Sequence, residues 1–121
     1  AATRKMKMSV GKLTVFKSTA ETVGLNLTTW YMFAAIFNLN NNLMTLKVFS
    51  ESALIDTVTG VAGIADYTPN ADTESLRIAT CRFTSGFQYD FDETGAWNKA
   101  LSDAEILNIW NNGAGRTYPF N

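Results

Sequence analysis

Apolar and polar residues alternate at the start of the chain, and the pattern changes character several times before the end. In KMKMSV, residues 5–10, Met6, Met8 and Val10 fall on one parity and Lys5, Lys7 and Ser9 on the other. That is the period of a half-buried strand. Gly11 permits a tight turn and KLTVF resumes the pattern, so residues 5–17 read as a β-hairpin. TAETVGLNLTT is polar and rich in turn formers. WYMFAAIF, residues 30–37, is apolar on both parities and too short for a confident helix, which suits a strand covered on both faces. Residues 38–42 form a loop, and LMTLKVFS, residues 43–50, is the next strand, pairing antiparallel with the one before it.

Residues 51–74 are acidic and contain Gly60, Gly63 and Pro69, which predicts a long connection. ESLRIATCRF reads as a further strand. GFQYDFDETGAW places Phe87, Tyr89 and Phe91 on one parity and Gln88, Asp90 and Asp92 on the other, the pattern of a half-exposed strand. One helix follows. Ser102 is its N-cap, Glu105 completes an S-x-x-E capping box, and Asp103 favours the positive end of the helix dipole. Ala104, Ile106, Leu107 and Trp110 supply the apolar stripe, and Gly113 is the expected left-handed stop, with Gly115 beyond it. Six or seven strands and one short C-terminal helix predict an all-β fold, an antiparallel β-sandwich, with no internal repeat.

Composition narrows the function. The chain has 121 residues, 46% of them hydrophobic and 17% charged, which suits one compact domain and argues against disorder. The net charge of −1 gives no global attraction to nucleic acid or anionic lipid. Its distribution is uneven: Arg4, Lys5, Lys7, Lys12 and Lys17 precede every acidic residue, whereas Glu51, Asp56, Asp66, Asp72 and Glu74 run without an intervening base. Two solvated surfaces of opposite sign, or docking between neighbouring copies, would both use that split. The single cysteine, Cys81, allows no internal disulfide and reads as a small buried apolar side chain. Histidine is absent, which removes Ser-His-Asp and Cys-His catalysis and His-ligated zinc. No apolar run is long enough to span a bilayer, so membrane insertion is not expected. The chain begins AATRK without an initiator Met, the expectation for a processed chain or a piece of a longer one.

The run D-E-x-x-x-W-N-x-A-L-S-x-x-E-I, then W-N-x-G-A-G, then Y-P-F, resembles the closing segment of laminin G-like, concanavalin A-like jelly-roll domains. Asp92, Glu93, Trp97, Asn98, Ala100, Leu101, Ser102, Glu105 and Ile106 stand where that family places its signature, with Trp110 and Gly113 following. Thr29-Trp30 before an apolar strand, then TLKVF, is similar to the family's middle, and LRIA to the short strand before the signature. The resemblance covers roughly residues 5–120. It departs at Tyr89, near the place of the family's usual Gly, and the family's opening strands have no counterpart. It implies a single jelly-roll domain over residues 1–121 whose edge must be completed by another chain, by further residues or by a rearranged N-terminus.

Three readings of the acidic cluster follow. Hydrolases on this fold carry E-x-D-x-E along one strand, with nucleophile and acid on one face. Here the matching positions are Asp90, Asp92 and Thr94, with Glu93 on the other parity, so the pair is broken and no glycoside hydrolase is expected. Asp66, Asp72, Asp90 and Asp92 are candidate calcium oxygens, though no spacing specifies a site; no cofactor is expected otherwise. In the third reading Asp92 is architectural, a buried carboxylate accepting backbone N–H groups, and Trp97, Leu101, Leu107 and Trp110 clamp the helix to the sandwich. Asn26-Leu27-Thr28 is a glycosylation sequon. Trp30 and Trp97 are expected in the core rather than stacked on a sugar. The expected function is a non-enzymatic structural or interaction module of a larger assembly, such as a virion decoration or tail-associated subunit. Its partners are a protein or further copies of itself. The alternative is a lectin-like adhesion domain binding glycan at a cell surface. Either reading places the protein outside the cell or on a virion surface, with no nucleic-acid partner.

Overall fold

A computed structural model of the chain describes residues 3–12, 15–38, 40–61, 92 and 94–116. Among them are seven strands: β1 (Thr3–Arg4), β2 (Ser9–Lys12), β3 (Val15–Ser18), β4 (Leu25–Asn26), β5 (Met32–Asn38), β6 (Leu43–Phe49) and β7 (Leu54–Val61). One helix, α1 (Asp103–Trp110), runs into a 3₁₀ turn at Asn111–Gly113. Every pairing among the strands is antiparallel. The described residues are therefore strand-rich with one short helix, as the alternation predicts.

The N-terminal hairpin is longer than expected and turns elsewhere. Gly11 lies inside β2 opposite Phe16, and the reversal falls between Lys12 and Val15. β1 and β4 continue the same antiparallel run, with Thr3 opposite Asn26 and Arg4 opposite Leu25. From Arg4 to Ser9 is five steps on one arm, while from Ser18 to Leu25 is seven on the other. The two extra residues are absorbed between the short ladders. There Thr19 and Thr22 each hold one methionine peptide from both sides. Thr19 N–H donates to the Met8 carbonyl at 2.9 Å and its hydroxyl accepts the Met8 N–H at 3.1 Å; Thr22 does the same with Met6, both bonds at 2.9 Å. A hydroxyl thus stands in where the offset removes a backbone carbonyl. Both threonines are buried while Ala20, Glu21, Val23 and Gly24 between and after them are exposed, so this polar-looking loop is pinned to the interior at two points.

β5, β6 and β7 form a three-stranded sheet in that order. Val48 opposes Phe33 on one side and Asp56 on the other, and Leu46 opposes Ala35 and Val58. Alternation then puts Phe33, Ala35 and Phe37, Met44, Leu46 and Val48, and Asp56, Val58 and Gly60 on one face. Met44, Leu46, Val48 and Val58 are buried there, each such side chain worth roughly 1.5–3 kcal/mol on leaving water. The hairpin crosses this face at the β7 end. Ala20 N–H donates to the Thr59 carbonyl at 3.1 Å and Val23 N–H to the Asp56 carboxylate at 2.7 Å. A Cβ on Gly60 would meet the Ser18 carbonyl at 2.5 Å, so only glycine lets the two backbones approach this closely.

Three expectations need correction here. Residues 51–74 are not simply a connection, because Leu54–Val61 is an eight-residue strand whose alternating Leu54, Asp56 and Val58 were overshadowed by the surrounding acids and glycines. β5 is not covered on both faces: Met32, Ala34 and Ile36 are half-buried, while Phe33, Ala35 and Phe37 are exposed. Among the described residues β5 is at the rim of its sheet, with Phe33, Ala35 and Phe37 exposed. Trp30, expected in the core, is 53% exposed in the link that leads into β5. Of the strand expected over residues 86–97, Asp92 and residues 94–97 are described and are not strand; its remainder, the strand expected at 74–83, and Cys81, Asp66, Asp72, Asp90, Phe91 and Glu93 lie outside the described residues.

Candidate functional site

The C-terminal signature residues build a latch that holds α1 against the sheet face opposite the hairpin. Ser102 has extended backbone, φ −69° and ψ 161°, and its hydroxyl accepts the Glu105 N–H at 3.2 Å. Glu105 reaches back to accept the Ser102 N–H at 2.8 Å, closing the capping box read from the sequence. Lys99 joins it, donating to the other Glu105 oxygen at 2.6 Å. The Glu105 carboxyl consequently falls from the ordinary 4.5 to about 2, first through Lys99, then through the Ser102 N–H and hydroxyl. Asp103 pairs with Lys47, the one charged residue of β6, whose side chain lies on the face shared with Phe49. At the other end of the helix the Trp110 indole donates to the Ser50 carbonyl at 2.6 Å. The two ends of α1 are thereby tied to β6 and to the residue that follows it, and Ile106, between them, is 2% exposed. Ala104 is exposed and not part of the apolar stripe; Ile106, Leu107, Ile109 and Trp110 supply the inward side.

The helix stop falls earlier than Gly113. Asn111 takes the left-handed conformation, φ 48°, and its N–H donates to the Leu107 carbonyl. Asn112 at φ 54° and Gly113 at φ 83° continue the left-handed stretch. Asparagine tolerates this region better than most side chains. The Asn111 side-chain amide also donates to the Gly115 carbonyl at 2.9 Å, fixing the exit.

The remaining signature residues are less enclosed than expected. Asp92 is exposed and lies outside any strand, so it is not the buried carboxylate of the architectural reading: residues 94–100 run as surface chain, where water solvates the group. Trp97 is 40% exposed and Asn98 is exposed, while Leu101 is half-buried. The Trp97 ring lies over Gly95, where a Cβ would come within 2.5 Å of it.

A second surface was not foreseen. β5 forms one rim of the three-stranded sheet, with β6 its one neighbour among the described residues. None of its seven residues is charged. Phe33 is 41% exposed and Phe37 46%, on the face that is buried over β6. The signal was present in the sequence as the absence of Lys, Glu, Pro or Gly from MFAAIFN, since those residues normally guard a free edge. Among the described residues, no group of three or more His, Cys, Asp or Glu side chains gathers where a metal could be held, and no helix is long and apolar enough to cross a membrane. Comparison with known proteins returns nothing: no protein-family model, no curated protein and no solved structure matches the chain.

Proposed function

We propose that this chain is a non-enzymatic structural or interaction module of a larger assembly, built as a laminin G-like jelly-roll sandwich and used in the manner of a virion decoration or tail-associated subunit. The observation that carries the reading is the rim of the sheet. An uncharged seven-residue strand with two partly exposed phenylalanines on one face, and with a neighbour on one side alone among the described residues, offers hydrogen-bonding groups and apolar surface together. The latch supports the jelly-roll part of the reading, because the residues that resemble the family's closing signature are those that cap α1 and tie it to the sheet. Native mass spectrometry of the protein as isolated tests it. A defined oligomer or a co-isolated partner chain is expected; a stable monomer with no partner would contradict it.

A lectin-like reading is favoured by one separate observation: Trp30 and Trp97, both expected in the core, are 53% and 40% exposed. Exposed indole rings are the usual platform for a sugar ring. A glycan array run with and without calcium tests it, and binding lost in Trp30→Ala would support it.

A further inference from the structure

The one sequon of the chain, Asn26-Leu27-Thr28, takes no part in the latch or the rim, and its residues are held in a defined shape. We propose that Asn26 is the acceptor of an N-linked glycan, transferred from a polyprenyl-pyrophosphate-linked oligosaccharide by a membrane-bound transferase. This rests on the reading of the chain as a protein outside the cell or on a virion surface, and adds a covalent modification to it.

Asn26 is the last residue of β4, opposite Thr3. Leu25 before it is 5% exposed, so alternation along the strand turns Leu25 inward and Asn26 away from the core. The chain then reverses. The Thr29 N–H donates to the Asn26 carbonyl at 3.4 Å, and residues 27–30 are all exposed, Leu27 at 51% and Trp30 at 53%. The acceptor therefore stands at the start of a surface turn, the setting that an attached oligosaccharide needs.

The hydrogen bonds of Asn26 single out one of its atoms. Its backbone N–H donates to the Tyr31 hydroxyl at 3.1 Å. Its Oδ1 accepts the Thr28 N–H at 3.0 Å and the Thr28 hydroxyl at 2.8 Å. The first of these two bonds is an Asx turn. The second joins the two side chains whose identities define the motif, and it is a bond that only Ser or Thr at residue 28 can make. None of these contacts uses Nδ2. The oxygen of the amide is fixed by Thr28, and the nitrogen is left for transfer. There Nδ2 forms a bond to the anomeric carbon of the first sugar and the bond from that carbon to the phosphate oxygen breaks. The lipid pyrophosphate leaves with the electron pair, and Nδ2 gives up one proton.

Two mass measurements test this. In the first, the full chain is carried by a secretion leader into a glycosylating eukaryotic cell, and the secreted protein is weighed intact. A mass above that of the polypeptide is expected, restored to the polypeptide mass by peptide-N-glycosidase with conversion of Asn26 to Asp. The added mass should vanish in Asn26→Gln and in Thr28→Val and persist in Thr28→Ser. Circular dichroism checks that each variant folds; should Asn26→Gln fail, Thr28→Val still removes the hydroxyl with Asn26 in place. A secreted, folded native chain with bare Asn26, or a glycan that survives Thr28→Val, overturns the acceptor assignment and leaves the exterior reading intact. In the second, the Asn26 peptide is weighed from the protein as isolated from its source, where the glycan is again expected. A bare Asn26 there, together with a glycosylated one in the secreted chain, removes the exterior reading and the proposal with it.

Discussion

The Trp110 indole donates its N–H to the backbone carbonyl of Ser50 at 2.6 Å, joining residues 60 positions apart. Ser50 directly follows β6, and Trp110 is the last residue of α1, so a single bond fixes where the helix ends on the sheet. Trp110→Phe keeps most of the apolar body and removes only the donor. We expect a loss of about 1 kcal/mol, the usual net worth of a partly buried hydrogen bond. Urea denaturation measures it, and an unchanged midpoint would show that packing alone seats the helix.

Ser102 carries the other end. Its hydroxyl receives the Glu105 N–H, an otherwise unsatisfied donor of the first helical turn. Ser102→Ala should cost roughly 1 kcal/mol. Ser102→Asp, which can cap equally well, should recover most of it in the same denaturation series.

Glu105 makes this cap sensitive to acid. Its carboxyl titrates at about 2 in the folded chain against an ordinary 4.5, held down first by Lys99 and then by Ser102. A carboxyl whose folded value lies below its unfolded one contributes stability that is complete above the unfolded value and lost as pH falls through the folded one. The gap in unfolding midpoint between the native chain and Glu105→Gln should therefore stay constant above about pH 5 and close between pH 4.5 and 2. A gap independent of pH would show that the charge on Glu105 adds nothing to the cap.

The hairpin joint offers a separate test. The Thr22 hydroxyl accepts the Met6 N–H at 2.9 Å and donates to the Val23 carbonyl at 2.9 Å, with the residue 2% exposed. Thr22→Val preserves the shape and leaves the Met6 donor unsatisfied, at an expected cost of about 1–3 kcal/mol. Thr22→Ser, which retains the hydroxyl, should lose clearly less when both are compared by thermal unfolding.

The parts of the fold legible from the sequence were those decided locally. The capping box needs only the spacing of Ser102 and Glu105, and the pairing of β5 with β6 needs only two apolar runs and an asparagine-rich turn. The parts that escaped depend on distant contacts. Thr19 and Thr22 read as turn residues because nothing near them in sequence reveals that Met8 and Met6 lie across the arm. β7 was obscured because Asp56, an acid on the inner parity, accepts there the N–H of Val23, 33 residues away, besides that of its neighbour Thr57. Asp92 is expected to be buried by analogy of position, yet it is exposed and is not itself in a strand. At the candidate site, the latch residues were visible as a motif, whereas the β5 rim was visible only as charges that are missing. Apolar residues on both parities fit a covered strand and an open rim equally well, and position in the sheet decides between them.

The central claim is that the β5 rim is an assembly surface, and amide hydrogen exchange across Met32–Asn38 tests it most directly. In an antiparallel strand alternate N–H groups point to opposite neighbours, so β6 can protect only half of them. Exchange followed at high and at low protein concentration should show the outward-facing amides of β5 protected when the protein is concentrated and released on dilution, while those facing β6 stay protected throughout. Outward-facing amides that exchange at the same rate at every concentration would contradict the account.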